Sequence, residues 1–252
     1  MQRTLAVFLA VAAILASGCR DKSGQAAGPP TLHVLCGSSM AMPARELGRR
    51  FESNHQVEVV FDLGGSETLL PKILMNAPAD IFICHDPFEQ KIKDAGRWAG
   101  SANVGVLQPV LLVRPGNPLN INSIADLARP GTKIGIGDPR YSTCGELFVK
   151  LLEDKHSREA VMRNVRLQGR THAEIVNGMI LGPLDAVVVW NFAALLYKGK
   201  VQLVPTADRY PEIKVTVVGL SQCPHPKMRD AFLAECRKDE TRALFAHHGF
   251  AP

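Results

Sequence analysis

Four turns with small hydroxyl side chains could bind an anion, since each follows a predicted strand and opens a predicted helix, at Ser39, Ser66, Thr143 and Thr171. In open parallel α/β sheets, ligands bind beyond the carboxyl ends of the strands. A helix that begins there presents unpaired amides and about half a positive charge. Several such helix starts facing one point form an anion site without Lys or Arg, and each hydroxyl can donate one more hydrogen bond. The alternative is that these hydroxyls only cap their own helices.

The elements that would position these turns alternate between strands and helices in two series. Strands are predicted at 32–35, 57–61, 80–84, 110–113, 133–136, 186–189 and 215–220. Helices are predicted at about 39–51, 66–75, 86–96, 123–127, 143–152, 171–180, 227–236 and 241–247. This order implies mostly parallel sheets with helices on their faces. We therefore expect an α/β protein of two lobes, in which the final segment returns to the first lobe.

Two of the helix starts carry a capping-box pattern, at 143–146 (TCGE) and 171–174 (THAE). In such a box the first hydroxyl accepts a hydrogen bond from an end amide, and the glutamate reaches back to another amide. The pattern predicts that Thr143 and Thr171 are the N-cap residues of their helices.

The N-terminus has the features of an export signal. One positive charge, Arg3, precedes an unbroken apolar run at 5–15, and small residues follow. The stretch 15–19 (LASGC) resembles the lipobox of bacterial lipoproteins, in which the cysteine is lipidated and becomes the first residue. We expect a lipoprotein signal peptide at 1–18, a lipid on Cys19 and a flexible tether at 19–30; the alternative is an ordinary signal peptide with a chance cysteine. Either reading predicts an exported protein.

Composition restricts the remaining classes of function. The 252 residues are 46% hydrophobic and 21% charged, which is ordinary for a globular protein. The net charge is +5, and removal of Arg3, the single charged residue in 1–18, leaves +4. Lysines and arginines are scattered and aromatic residues make up only 6%, so a nucleic-acid surface is not expected.

Six cysteines are an awkward number for an exported chain, since lipidation of Cys19 would leave five. Cys223 and Cys236 are close enough in sequence for a local disulfide, and Cys36 and Cys84 end two predicted strands. The alternative is that each pair consists of buried free thiols. None of the cysteines has the spacing of a zinc site.

An ordered set of motifs resembles the periplasmic molybdate-binding proteins, which are solute-binding components of ABC importers. The set comprises 34–40 (VLCGSSM), 65–69 (GSETL), 77–86 (APADIFICHD) and 135–139 (GIGDP), the last followed by Gly145. The resemblance extends from about residue 32 to residue 250. It implies a class II periplasmic-binding-protein fold, with lobe 1 at 31–107 and 216–252, lobe 2 at 108–215, and the ligand in the cleft between them.

The resemblance also implies a ligand and the residues that hold it. The family binds a tetrahedral oxyanion, molybdate or tungstate, with no cofactor and no metal site of its own. Its two hydroxyls fall on Ser39 and Ser66, and its backbone amides fall on Cys144 and His172. The expected partner is an ABC permease, reached by a monomer anchored in the membrane through Cys19.

Two positions depart from the family pattern. Trp190 stands where the family has a phenol, and an indole N–H can only donate, which suits a fully deprotonated dianion; the alternative is that Trp190 is only a wall of the site. Glu67 stands where the family often has a small hydroxyl, and we expect its carboxylate to point to solvent. Asn191 cannot serve as an anionic ligand, which favours tetrahedral coordination by hydrogen bonds.

Other readings remain open at this stage. The same scaffold could bind another solute, such as sulfate, a phosphonate or a metal complex. An exported enzyme could use Cys144, because a helix N-terminus lowers the pKa of a thiol. Asp80 and Asp138 are expected to be structural rather than catalytic, and His85 is expected at the cleft end of its strand.

Overall fold

The computed structural model describes residues 29–208 and 210–251. The predicted signal peptide, the lipidation site at Cys19 and nearly all of the predicted tether lie outside the described residues. Among the residues that are described, no helix has both the length and the apolar character needed to cross a membrane.

The first lobe contains a five-stranded sheet with the order β2-β1-β3-β10-β4. Its strands are β1 (Thr31–Gly37), β2 (Glu58–Gly64), β3 (Ile81–His85), β4 (Trp98–Leu107) and β10 (Ile213–Leu220). The first three strands are parallel, whereas β10 runs antiparallel to both β3 and β4. The strand near the C-terminus is therefore part of the first sheet.

The second lobe repeats this arrangement with the order β7-β6-β8-β5-β9. Its strands are β5 (Pro109–Val113), β6 (Ile134–Gly137), β7 (Val165–Gly169), β8 (Ala186–Trp190) and β9 (Gln202–Val204). Strands β6, β7 and β8 are parallel, and β5 is antiparallel to its two neighbours. The predicted α/β class with two sheets flanked by helices is confirmed, although each sheet is mixed, with two parallel and two antiparallel pairings; the lobe boundaries after residues 107 and 215 stay a prediction.

Helices cover both faces of each sheet. They are α1 (Ala41–His55), α2 (Ser66–Leu74), α3 (Phe88–Asp94), α4 (Thr143–Asp154), α5 (Arg158–Met162), α6 (His172–Ile180), α7 (Phe192–Leu196), α8 (Pro226–Cys236) and α9 (Asp239–His247). In the first lobe, α1, α8 and α9 share one apolar core and α2 and α3 share the other. In the second lobe, α4 and α5 lie on one face and α6 and α7 on the other. These layers hold the strand ends, and the turns that follow them, in fixed positions.

The two lobes are in direct contact through aromatic side chains. Cys144, Trp190 and Phe192 of the second lobe belong to the main core of the first lobe. Phe192 stacks on Phe250 with the ring centroids 5.4 Å apart. Asn191 bridges to the connection between β4 and β5, where its side chain accepts from the Gln108 amide at 3.2 Å. This contact surface closes one side of the cleft.

Several elements were not predicted. Strand β4 contains Gly100 and Gly105 and many small residues, which weaken a strand pattern. Strands β7 and β9 and the five-residue helices α5 and α7 are short, and short elements carry little periodic signal. All of the longer predicted elements are present, with bounds shifted by a few residues.

The cysteine pairs considered from sequence are not bonded, so the alternative of free thiols is confirmed; Cys36, Cys84 and Cys236 are buried, whereas Cys223 is half-buried. Cys36 packs into the core beneath α1, whereas Cys84 packs beneath α2 and α3, on the opposite face of the sheet. Cys236 lies in the first of these cores and Cys223 against the second. Residues on opposite faces cannot form a disulfide without moving the backbone.

Candidate functional site

A cavity of about 310 Å³ lies where the carboxyl ends of strands from both sheets meet. Its walls come from the turns after β1, β2, β6 and β7 and from the last residues of β3 and β8. All five ligand-binding residues predicted from the sequence line it: Ser39, Ser66, Cys144, His172 and Trp190. The fold thus brings together residues that are up to 151 positions apart in the chain, although their role as ligands stays a prediction.

Ser66, the first residue of α2, lines the cavity. No side chain caps this helix, and its N-cap residue is Gly65. Ser66 is buried, and its hydroxyl oxygen has no hydrogen-bond partner. A buried hydroxyl without a partner costs free energy unless something else bonds to it. The Ser66 hydroxyl is therefore not a cap, and it is available to a ligand in the cavity.

Ser39 lies in a single 3-10 turn, Ser38–Met40, which precedes α1. The helix therefore begins two residues later than predicted. No side chain caps the turn, and Ser39 is half-buried on the cavity wall. The reading in which the serines cap their own helices is thus wrong for both Ser39 and Ser66.

The start of α4 corrects the predicted capping box. Ser142 is the N-cap residue, and its hydroxyl accepts from the Gly145 amide at 3.4 Å. Thr143 is instead the first helical residue, because the serine one position earlier already occupies the cap. A Cβ on Gly145 would overlap the carbonyl oxygen of Gly137 at the end of β6. Glycine at position 145 therefore lets the helix start, and the Cys144 amide with it, approach the strand end closely.

The start of α6 has the predicted cap. The Thr171 hydroxyl accepts from the Glu174 amide at 3.1 Å, and the Glu174 carboxylate accepts from the Arg170 amide at 2.9 Å. His172 is the first residue of the helix, so its amide is among the end amides that lack a partner inside the helix. Its imidazole packs edge-on against Phe192 at 4.6 Å between centroids.

His85 and Trp190 form the part of the wall where the two lobes meet. Their ring centroids are 6.0 Å apart, and the His85 ring also packs edge-on against Phe88 at 5.4 Å. The Nδ1 atom of His85 lies 2.7 Å from the Asp86 carbonyl oxygen. Since a carbonyl oxygen can only accept, Nδ1 carries the proton of this bond, and Nε2 is the nitrogen left for other partners.

The electrostatics of His85 are set by burial and by nearby carboxylates. Burial lowers the pKa of the imidazole from its usual value, while the bond to the Asp86 carbonyl and the charges of Glu67 and Asp86 act in the opposite direction. Glu67 is exposed, as expected, but it also lines the cavity. Its carboxylate folds back over Gly65, where an added Cβ would overlap it. Glu67 is therefore a solvent-exposed residue of the cavity wall.

A cationic rim on the second lobe was not predicted. The guanidinium carbons of Arg140 and Arg170 lie 5.3 and 4.7 Å from the centroid of the Tyr141 ring. Arg140 is paired with Asp138 at 2.6 Å, and Arg170 and Tyr141 line the cavity. Nothing in the spacing of these residues indicates that they stack, because they follow two different strands.

Cys144 is buried, although it lines the cavity. Burial raises the pKa of its thiol above the usual value, which is opposite to the lowered pKa that a nucleophilic cysteine needs. The neutral thiol is a poor nucleophile.

The two aspartates considered for catalysis have structural partners. Asp80 lies at the other end of the first sheet, where it accepts from the amides of His33 at 2.9 Å and His225 at 2.8 Å. Asp138 accepts from the amide of Arg140 at 3.0 Å as well as from its guanidinium, and this guanidinium lowers the pKa of the Asp138 carboxyl. The expected position of Asp80 away from the cleft and the expected bonding of Asp138 to a local amide are confirmed.

Comparison with known proteins gives one family and several relatives. A family model described as bacterial extracellular solute-binding protein matches residues 32–251. The molybdate-binding protein ModA of Mycobacterium tuberculosis is 27% identical over 253 residues, which cover 96% of this chain and 94% of that protein.

Solved structures share the two-lobed fold. The periplasmic molybdate-binding protein of Azotobacter vinelandii superposes with a TM-score of 0.74 at 16% identity, covering 88% of this chain and 99% of that one. The sulfate-binding protein SubI of Mycobacterium tuberculosis superposes with a TM-score of 0.73 at 20% identity, covering 88% of this chain and 87% of that one. At these identities the superpositions establish the periplasmic-binding-protein fold, and they include proteins named for different anions.

Proposed function

Because this chain belongs to the bacterial extracellular solute-binding protein family, we propose that it is an extracytoplasmic receptor for a tetrahedral oxyanion, molybdate or tungstate. The anion binds in the cavity between the lobes and is delivered to an ABC permease. The proposal assigns a binding function to the cavity and no catalytic step.

The observation that carries this proposal is the unpaired hydroxyl of Ser66. It is buried at the start of a nine-residue helix, on the cavity wall, with no acceptor or donor among the described residues. A ligand oxygen would accept its hydrogen bond and would lie at the positive end of α2. A neutral apolar ligand would leave the hydroxyl unpaired.

The other donors complete a shell of one chemical kind. Ser39 adds a second hydroxyl, the starts of α4 and α6 add the amides of Cys144 and His172, and Trp190 adds an indole N–H. All of these groups can donate hydrogen bonds, and the amides and the indole cannot accept. A fully deprotonated dianion such as molybdate accepts from all of them.

Two substitutions with a matched control test this assignment. Ser66→Ala and Ser39→Ala should each weaken molybdate binding by about 10- to 150-fold, because a hydrogen bond to a charged group contributes roughly 1.5–3 kcal/mol. Ser53→Ala is the control, since the Ser53 hydroxyl bonds to the Arg49 carbonyl on the exposed surface of α1. Isothermal titration calorimetry gives the affinities; full affinity in both cavity variants would reject the site.

The thermal stability of the unliganded protein separates binding from folding in this test. Loss of a buried hydroxyl that has no partner should leave the unfolding temperature unchanged or slightly raised. A large drop for Ser66→Ala would mean that its hydroxyl supports the fold.

A second candidate ligand class follows from the same cavity. Its volume of about 310 Å³ exceeds that of one small oxyanion, whose size is a few times the ~30 Å³ share of one water molecule. Sulfate, a phosphonate or a metal complex is the alternative, and the spare volume favours the larger of these solutes over sulfate; titration with sulfate and methylphosphonate alongside molybdate distinguishes the anions.

The anchor and the assembly are also part of the proposal. We propose that Cys19 carries the lipid that tethers the receptor to the membrane, and that the receptor acts as a monomer. Metabolic labelling with palmitate should mark the wild type and not Cys19→Ala; label retained in the variant would mean that another residue is acylated. Sedimentation of a soluble form at micromolar concentration should give a single species of monomer mass, and a dimer would contradict the assignment.

A further inference from the structure

One histidine of the cavity has its two ring nitrogens in different environments. His85 is 8% exposed and is held between Phe88 and Trp190. Its Nδ1–H donates to the Asp86 carbonyl at 2.7 Å. In the neutral ring, Nε2 is then an acceptor. An acceptor on the wall of an anion site would repel a fully deprotonated oxyanion.

The charged groups that face His85 favour protonation of its imidazole, whereas burial opposes it. Glu67 from α2 and Asp86 from the following turn are the carboxylates whose charges raise the pKa of His85, against the stronger effect of burial. The rings packed on it, from α3 and β8, are uncharged. Its partner on β10 is Val215. Across the cavity, the titratable and charged lining groups of the second lobe are Tyr141, Cys144, Arg170 and His172.

We infer that His85 is a proton-linked member of the anion site: it takes up one proton when a dianion enters the cavity, and it then donates Nε2–H to the bound anion. This inference rests on the proposed function and extends it. The proton comes from solvent and the anion remains doubly charged, so no bond other than N–H is formed. A charge-assisted hydrogen bond and an added positive charge offset the carboxylate of Glu67 on the cavity wall.

The dependence on pH follows from the direction of this linkage. Burial lowers the pKa of His85 in the empty cavity, and a bound dianion raises it. Between the two pKa values, binding consumes a proton, so affinity falls as pH rises, by up to about tenfold per pH unit. Below the lower value the imidazole is already charged in the empty protein, and affinity no longer depends on this proton.

The other titratable residues of the cavity are weaker candidates. Burial also lowers the pKa of His172, with no opposing charge, and its ring packs edge-on against Phe192. Glu67 could relieve repulsion by taking the proton itself. These two residues provide the control variants for the experiment.

Calorimetry in buffers of different ionisation enthalpy counts the protons taken up per anion. Molybdate and sulfate are the probes, because both remain dianions through the neutral and mildly alkaline range and cannot supply the proton. For the wild type we expect an uptake approaching about one proton per anion between the pKa values of His85 in the free and the anion-bound protein, and an uptake near zero below and above this range. His85→Gln, which keeps a donor but cannot titrate, should bind with no proton uptake and with an affinity independent of pH.

The controls make each outcome decisive. His172→Gln should retain the uptake of the wild type. Glu67→Gln should still take up a proton, but over a lower pH range, because the Glu67 charge raises the pKa of His85. His85→Asn, which keeps a donor for the Asp86 carbonyl, repeats the test if His85→Gln unfolds at a lower temperature. Molybdate binding without proton uptake would overturn the inference while leaving the proposed function intact, as would uptake that survives in both His85 variants. If neither molybdate nor sulfate binds at any pH, both this inference and the proposed function are overturned.

Discussion

The imidazole of His85 and the indole of Trp190 lie 6.0 Å apart between ring centroids, although they end strands of different sheets. This pair closes the inner wall of the cavity at the junction of the two lobes. Trp190 is part of the main core of the first lobe, and this packing restricts the position of its indole.

Replacement of Trp190 tests the role of its indole N–H. Trp190→Phe keeps an aromatic wall but removes the donor, so we expect molybdate affinity to fall by about 10- to 150-fold, the value of one hydrogen bond to a charged group. Trp190→Tyr restores a donor through its phenol and should recover most of the affinity. Calorimetric titration of both variants gives the comparison.

The comparison between the two aromatic variants identifies the cause. Unchanged affinity in Trp190→Phe would mean that the tryptophan serves only as a wall. Equal losses in both variants would mean that the shape of the indole, and not its N–H, is what the ligand requires.

Gly145 is expected to be essential for the position of the Cys144 amide. In Gly145→Ala, the new methyl group would overlap the carbonyl oxygen of Gly137, so the start of α4 must move away from the strand end. Overpacking of this kind costs roughly 1–3 kcal/mol, which for a protein of this size lowers the unfolding temperature by about 2–4 °C per kcal/mol. Molybdate affinity should fall as well, because the displaced amide leaves the site.

The control for this substitution is Lys150→Ala, an exposed position on the same helix. It should change neither the unfolding temperature nor the affinity appreciably. Retention of full affinity in Gly145→Ala would show that the amides of α4 do not contact the ligand.

The buried thiols should resist alkylation in the folded protein. Burial raises the pKa of Cys36, Cys144 and Cys236 well above the usual value, so the reactive thiolate is scarce at neutral pH. Among the described cysteines, the half-buried Cys223 should react with iodoacetamide first. Mass spectrometry of peptides measures the rate at which each cysteine is alkylated. Rapid alkylation of Cys144 would support the hypothesis of a nucleophilic cysteine.

Much of the fold could be predicted because its signals are local. The apolar stretch of β3 and the capping pattern at Thr171 are local features, and both elements lie where expected. Strand β4 was missed because its glycines and small residues lack the alternation of a strand. The antiparallel direction of β10 could not be deduced, since it depends on where the chain returns after the second lobe.

Five residues that line the cavity could be predicted from the sequence, but the capping and stacking contacts around them could not. The turns at Ser39 and Ser66 stand out because small hydroxyl residues follow strands there. Sequence could not tell that Ser142 rather than Thr143 caps α4, because two neighbouring hydroxyls fit the same cap. It also could not place Arg170 on Tyr141, since stacking between two loops depends on the tertiary fold.

The most direct test of the oxyanion-receptor proposal is a calorimetric comparison of molybdate, tungstate and sulfate on the wild-type protein. Helix ends and amides move little, so a closed cleft has a fixed size, and the smaller sulfate cannot reach the donors of both lobes at good distance. Each unpaired buried donor costs about 1–3 kcal/mol, and two or three such losses amount to on the order of 10³-fold in affinity. We expect molybdate and tungstate to bind with similar affinity and sulfate at least about 10³-fold more weakly. Sulfate binding as tight as molybdate would contradict the assignment and favour a receptor for another anion.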